Sequence, residues 1–294
     1  VSTTPLGPIW DQRPRGAHDP RGPLLIAVYA SLWLSAVIGL NVVAALVMMA
    51  GQGLTDQVAM PPWMLVGLLT LQFPLMVGLL PVAHRWVDRL WERRRGVSMG
   101  PWQHAPLRPL DARWWGIAAV AGLCTGWTSG LVATWMRQAL PFLGEGSLEA
   151  INEALTQGWW PWRAAMVVLI VVAAPVAEEL VFRDYMWRAL ARFQSPRQVW
   201  VWSSVIFAFY HLDPVQSVSL LPTALVLGWL RLHAGTITPC IVVHLLNNAL
   251  GVGALYWWGP EADIPVLFIF GTGLCALAAC GAAWRWSSLP AAVR

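Results

Sequence analysis

Two adjacent carboxylates, Glu178 and Glu179, end an apolar run that begins near Ala164, and Arg183 follows four residues after the second. His211, His244 and Asn248 also lie in or beside apolar stretches. An ionisable group at mid-bilayer costs at least ~2.5–3.5 kcal/mol and persists there only when paired, solvated or used. The residue types suit hydrolysis at a carbonyl without a covalent intermediate. A carboxylate beside an imidazole can align a water and accept its proton. A second imidazole with an amide N–H can stabilise the oxyanion, an interaction that strengthens as charge accumulates. Asn248 is fitted to donate, not to act as a base. The plainer readings are a carboxylate pair at the membrane boundary, with Arg183 snorkelling to water, and a satisfied core histidine at 244.

These groups act together only if their elements bring them to one depth. A helix continuing from Glu178 to Arg192 descends 14 residues, about 21 Å at 1.5 Å per residue. Ser195-Pro196 marks a turn, and the 15 residues from Pro196 to His211 climb back about 22 Å. His244 lies eight residues into a later segment, about 12 Å above its start. All three therefore fit one layer. Glu179 and Arg183 are four apart and can pair along one helix face, as can Phe207 with His211 and His244 with Asn248. Glu178 is rotated about 100° from Glu179, which leaves one carboxylate for chemistry and the other for structure. The spacing predicts Glu178, His211, His244 and Asn248 around one cavity, with Arg183 near Glu179.

Composition sets the medium. Hydrophobic residues make up 57% of the chain and charged residues 12%, with a mean hydropathy of +0.55, which argues against a soluble globule. Several separated windows approach the ~20 apolar residues needed to cross hydrocarbon. All 19 basic residues are arginine. They cluster between apolar segments, as topology determinants do, so the net charge of +4 does not point to nucleic acid. Trp114-Trp115, Trp159-Trp160 with Trp162, and Trp257-Trp258 fit interfacial anchors. Cys124, Cys240, Cys275 and Cys280 fall in apolar segments without a CxxC pair and read as buried free thiols.

The chain parses as an all-α, polytopic transmembrane bundle of eight helices, N-in and C-in. Residues 1–23 read as a cytoplasmic tail, and this polar start predicts no cleavable signal peptide. Residues 24–294 form the bundle. Its spans are placed near 24–50, 62–83, 114–136, 162 to the double glutamate and beyond, 198–211, 216–230, 236–256 and 265–286. Pro74 is a candidate kink in the second. Seven arginines between His84 and Arg113 suggest a short interfacial helix. Leu148, Ile151 and Leu155 have helical spacing behind Ser147 and predict an amphipathic helix on the outer surface. Arginines fall on one set of connections and acidic or arginine-poor links on the other, which fixes the orientation. The fifth and sixth spans are short, so seven spans or a re-entrant pair stay open.

The ordered set EExxxR, FxxxH and HxxxN on successive apolar segments resembles the CPBP (Abi) family of intramembrane glutamic endopeptidases. That family includes the CAAX prenyl protease 2, or Rce1-like, enzymes. Here the motifs read Glu178-Glu179-Leu180-Val181-Phe182-Arg183, Phe207-Ala208-Phe209-Tyr210-His211 and His244-Leu245-Leu246-Asn247-Asn248. They cover about residues 162–252, and none departs from the family pattern. The resemblance implies an eight-helix core with a cavity open to the cytosolic side or to lipid. It implies that Glu178 and His211 activate the hydrolytic water and that His244 and Asn248 form the oxyanion side. Glu179 and Arg183, with Phe207 from the second motif, would support them. Members include prenyl-protein processing enzymes and bacterial proteins linked to bacteriocin maturation or immunity.

The expected partners are a peptide or membrane-protein substrate, lipidated tails included, and membrane lipids, with no nucleic acid. The mechanism needs no cofactor and no metal. A lysine-free, arginine- and alanine-rich composition suits a bacterial cell membrane. Two other readings stay open. One is a zinc-dependent intramembrane metallopeptidase with His211, His244 and a glutamate as ligands, although there is no HExxH motif. The other is a non-enzymatic transporter or scaffold that uses the same polar cluster.

Overall fold

The computed structural model describes residues 39, 61–95, 107, 109–143, 147–191, 194–259 and 266–287. The expected cytoplasmic tail and, Gly39 apart, the first membrane segment at 24–50 lie outside them. Among the described residues there are helices and no strands. In chain order these are α1 (Pro62–Gly78), α2 (Leu80–Arg95), α3 (Ala112–Ala139), α4 (Ser147–Thr156), α5 (Trp160–Ala191), α6 (Pro196–Phe209), α7 (Pro214–Ala234), α8 (Thr238–Trp258) and α9 (Val266–Arg285). Four of them, α3, α5, α7 and α8, are long and apolar enough to cross a membrane. A fifth span results if α1 and the start of α2, bent by 41°, count as one. That bend comes at Leu79, not at the expected Pro74, which stays inside α1.

The helix starts follow capping chemistry. Asp111 accepts hydrogen bonds from the N–H groups of Arg113 and Trp114 at 3.0 Å each, so α3 begins just before its tryptophan pair. Ser195 and Gln198 form a reciprocal capping box with Pro196 in the first turn of α6. Asp213 caps α7 through the N–H of Gln216 at 2.9 Å, and Pro214 opens that helix. Gly235 ends it at φ 68°, a conformation that costs a residue with a Cβ about 1–2 kcal/mol. The described amphipathic element at 147–156 is helical as expected. Its Leu155 is buried and Ile151 half-buried against Val66 and Met166.

One segment is as short as the sequence implies, and the next runs past its expected end. Helix α6 has 14 residues, about 21 Å, less than the hydrocarbon thickness. It rises to Phe209, turns through 210–213 and returns as α7. Helix α7 in turn runs on through Arg231 and His233, which composition had marked as the start of a link. Both are buried, and Arg231 Nε donates to the Arg183 carbonyl at 2.8 Å. A partnered cation can stay inside a helical bundle where an unpartnered one would mark its edge.

Close helix approach depends on small residues. Helix α3 packs against α7, α8 and α9. A Cβ on Gly122 would lie 2.9 Å from Leu246 Cβ and 3.0 Å from the Val243 carbonyl. At Gly126 the nearest atom would be Asn247 Oδ1 at 3.4 Å. On α7, a Cβ at Gly228 would meet Ser204 Oγ and Trp200 Cδ1 at 2.7 Å each. In a bilayer, where lipid is as apolar as leucine, such approach supplies much of the association energy. Gly122→Ala should therefore destabilise the bundle by about 1–3 kcal/mol through overpacking. Gly130→Ala, with nothing within 4 Å of its new methyl, should be close to neutral. Thermal unfolding of the two variants in one detergent checks the difference.

Candidate active site

Helix α5 carries the two glutamates between two π-helical stretches, Leu169–Ala173 and Leu180–Met186. The first has an identifiable cause. Pro175 has no N–H, and its ring clashes with the carbonyl four residues back in a regular helix. The chain widens instead, so that the Ala174 N–H bonds to the Leu169 carbonyl five residues back. In that register Ile170 would need a donor from position 175, where proline offers none. Asn248 supplies it from α8, its Nδ2 donating to the Ile170 carbonyl at 2.9 Å. Stretches of this kind recur at functional sites because they displace side chains from the regular helical rows.

Glu178, Glu179, Arg183, Phe207 and His244 are all buried and converge from α5, α6 and α8. Glu179 Oε1 accepts from His244 Nδ1 at 2.9 Å and from Arg183 Nη1 at 3.3 Å. Arg183 Nη2 also donates to the Ala224 carbonyl of α7 at 3.2 Å, and its guanidinium lies 4.2 Å from the centre of the Phe207 ring. This aromatic face adds a cation–π contact in a dry setting. The second carboxylate approaches the far side of the same imidazole, with Glu178 Oε2 3.7 Å from His244 Nε2. That is beyond hydrogen-bond length but within strong electrostatic reach.

The imidazole tautomers follow from these partners. Facing a carboxylate, Nδ1 of His244 is the donor, which leaves Nε2 turned toward Glu178. Nδ1 of His211 faces the Phe207 and Ala208 carbonyls of its own helix at 3.2 and 3.3 Å. Carbonyls only accept, so Nδ1 carries the proton and Nε2 keeps a lone pair. His211 sits in the 210–213 turn beside Leu212, whose φ of 55° is the one positive value for a non-glycine among the described residues. Strained backbone at a turn of this kind is a recurrent feature of functional sites.

The Phe207 ring is the shared contact of the two histidines. It meets His211 edge-on at 5.4 Å and His244 at 5.6 Å, and Phe182 packs on it at 5.2 Å. Glu178 and His211 make no direct hydrogen bond. Asn248 stands one turn beyond His244 and is held at both ends. Its Oδ1 accepts from Asn247 Nδ2 at 3.2 Å, and Asn247 Oδ1 lies 3.5 Å from the Thr223 hydroxyl, which is 2.7 Å from that of Ser129. One Nδ2 hydrogen is used on Ile170 and the other is left to donate.

The expected Glu179–Arg183 pair is present, and Glu178 meets His244. A cleft of about 340 Å³ contains Asn247 and Asn248 in its wall, but not Glu178, His211 or His244. Sequence reasoning missed several supporting groups: the Ile170 and Ala224 carbonyls, Phe182, Thr223, Ser129, Asn247 and the pair Arg188–Asp184 at 2.7 Å. The spacing of Asp184 and Arg188 would have revealed the last of these. The hydroxyls carry no such signal. Among the described residues, no three His, Cys, Asp or Glu side chains converge as metal ligands would.

The geometry can now be set beside known proteins. No curated protein and no solved structure matches the chain. Residues 159–250 match the family model described as type II CAAX prenyl endopeptidase Rce1-like. That stretch contains the double glutamate, both histidines, Arg183, Phe207 and Asn248. Over these residues the chain is similar to the Rce1-like family of type II CAAX prenyl endopeptidases, and the match carries the segment that holds the polar cluster.

Proposed function

We propose that the protein is a CPBP-type glutamic endopeptidase, which hydrolyses a peptide bond within the membrane through a water activated by Glu178 and His211. The observation that carries the reading is the placing of His244 between two buried carboxylates, 2.9 Å from one and 3.7 Å from the other. Such an arrangement is costly in hydrocarbon unless it is used. His211, with its Nε2 lone pair, is suited to take the proton of the attacking water, and Glu178 to orient that water. His244 donates at Nε2 only as the imidazolium, for which Glu179 is the counter-ion. In that form it and the remaining Nδ2 hydrogen of Asn248 stabilise the oxyanion. Arg183 holds Glu179, and Phe207 fixes both rings.

The substrate is a peptide or membrane protein with a lipidated, CAAX-type tail or a bacterial peptide, met in a bacterial cell membrane. The family match supports the tail, and the arginine-rich, lysine-free composition supports the setting.

Glu178→Gln and His211→Ala should each lower cleavage by about 10²–10⁴-fold, the usual weight of a general base. Glu153→Gln, on α4, should leave it unchanged. Mass spectrometry of membrane peptides exposed to each form reads new termini and so tests reaction and substrate together. Chelation should not abolish cleavage. Loss on chelation with recovery on added zinc would instead establish the metallopeptidase. The two roles assigned to Asn248 can be separated. Asn248→Ala should cost about 1–3 kcal/mol of stability by stranding the Ile170 carbonyl, and about 10²–10³ in kcat. Adding Pro175→Ala restores a backbone donor, so stability should return while activity does not.

A further inference from the structure

Two buried arginines tie α5 to α7 in opposite directions. Arg183 of α5 donates through Nη2 to the Ala224 carbonyl of α7 at 3.2 Å. Arg231 of α7 donates through Nε to the Arg183 carbonyl of α5 at 2.8 Å. That carbonyl lies in the second π-helical stretch, where the backbone passes it over. In a regular helix its donor would be the Trp187 N–H, which here bonds to the Phe182 and Asp184 carbonyls instead. In hydrocarbon a passed-over carbonyl must be given a donor by the protein, and Arg231 is that donor. Its guanidinium lies 5.7 Å from the centre of the Trp187 ring.

Two such contacts fix depth. Ala224 and Arg231 are seven residues apart on α7, about 10 Å along its axis and on one face. A single contact lets two helices slide or pivot about it, whereas two along one face set their axial register. Helix α6 moves with α7, because Ser204 Oγ donates to the same Ala224 carbonyl at 2.8 Å and Trp200 Nε1 to the Leu225 carbonyl at 2.8 Å. His211 stands at the tip of this α6–α7 hairpin, three residues before Pro214 opens α7. Glu178 stands on α5, and no direct hydrogen bond joins the two. Their relative depth is therefore set by the helices that carry them, and so by the arginine clamp between α5 and α7.

We infer that Arg231 is a positioning residue for the hydrolysis: its bond to the Arg183 carbonyl sets the depth of the α6–α7 hairpin, and of His211 at its tip, against Glu178. The inference rests on the function proposed above, in which those two groups activate the water. A misplacement of about 1 Å is enough to cost about 10²-fold in rate. The competing role is charge balance alone, since Asp184 lies within electrostatic range of Arg231.

A pair of variants separates the two roles. Glutamine carries its amide nitrogen the same number of bonds from Cα as arginine carries Nε, so Arg231→Gln keeps a donor for the carbonyl without the charge. Arg231→Met has the same length and neither. Cleavage of a prenylated peptide ending in a CAAX-type tetrapeptide is measured for each form well below its own melting midpoint, so that all the protein is folded. Arg231→Met should lose about 10–10²-fold in kcat at unchanged KM, and Arg231→Gln should stay within about threefold of wild type. Equal losses in the two variants assign the effect to charge, and a wild-type kcat in Arg231→Met shows that the donor positions nothing. Either result overturns the inference, as does a change confined to KM. Glu178→Gln, run alongside, reports on the reading beneath it. Its loss of cleavage together with any of those results removes the inference alone. Glu178→Gln that cuts like wild type, or wild type that cuts no such peptide, removes both.

Discussion

A carboxylate shared between a guanidinium and an imidazole, in a layer that water reaches poorly, is the interaction on which the rest of this structure depends. Glu179 holds Arg183 and His244 at 3.3 and 2.9 Å. Breaking one side of a buried pair typically costs 3–5 kcal/mol, because the remaining charge is left uncompensated. Three helices are thereby tied at one point: α5 through both glutamates and Arg183, α8 through His244, and α7 through the Ala224 carbonyl that Arg183 also contacts. Phe207 brings in the fourth, α6, by offering its face to Arg183 and its ring to both histidines. The polar centre is therefore also the packing centre, and its geometry cannot relax without moving the helices.

The irregularities of α5 belong to the same device. Pro175 forces a wider turn just before the glutamates, and the carbonyl it leaves over is taken up by Asn248. One residue thus links a backbone defect in one helix to an amide poised in another. The second wide stretch, from Leu180 to Met186, contains Arg183, whose carbonyl is taken by Arg231 of α7. In water a solvent molecule could satisfy such carbonyls. In hydrocarbon the protein must supply its own donors, and each supplied donor fixes one more distance in the site. His211 is treated differently: it stands in a turn at the end of a short helix, half-buried, next to the strained Leu212. His244 and Asn248 are held by several hydrogen bonds, whereas His211 lies at the more accessible edge.

Much of this was legible in the sequence. Apolar windows of about 20 residues and arginine-bearing connections give a helical membrane protein, because backbone groups in lipid must be satisfied within the segment. The i,i+4 spacing of Glu179 and Arg183 gives their pairing, because such residues share a helix face. The three motifs, read in order, give the family. The depth arithmetic brought Glu178, His211 and His244 toward one layer because rise per residue is nearly constant along a helix.

Only the tertiary structure decided which groups touch. Azimuth and helix-to-helix distance depend on packing, which here turns on glycines at 122 and 228 and on a proline-widened turn. None of these has a local signature of the contact it permits. So the chain's own order of residues determined that there would be acids, imidazoles and an amide at similar depth. The bundle decided that His244 would stand between the two acids, that His211 would share the Phe207 ring with His244, and that Asn248 would turn to Ile170 and the cleft beyond. A side chain's depth is set along its own helix, whereas its neighbour is set by another.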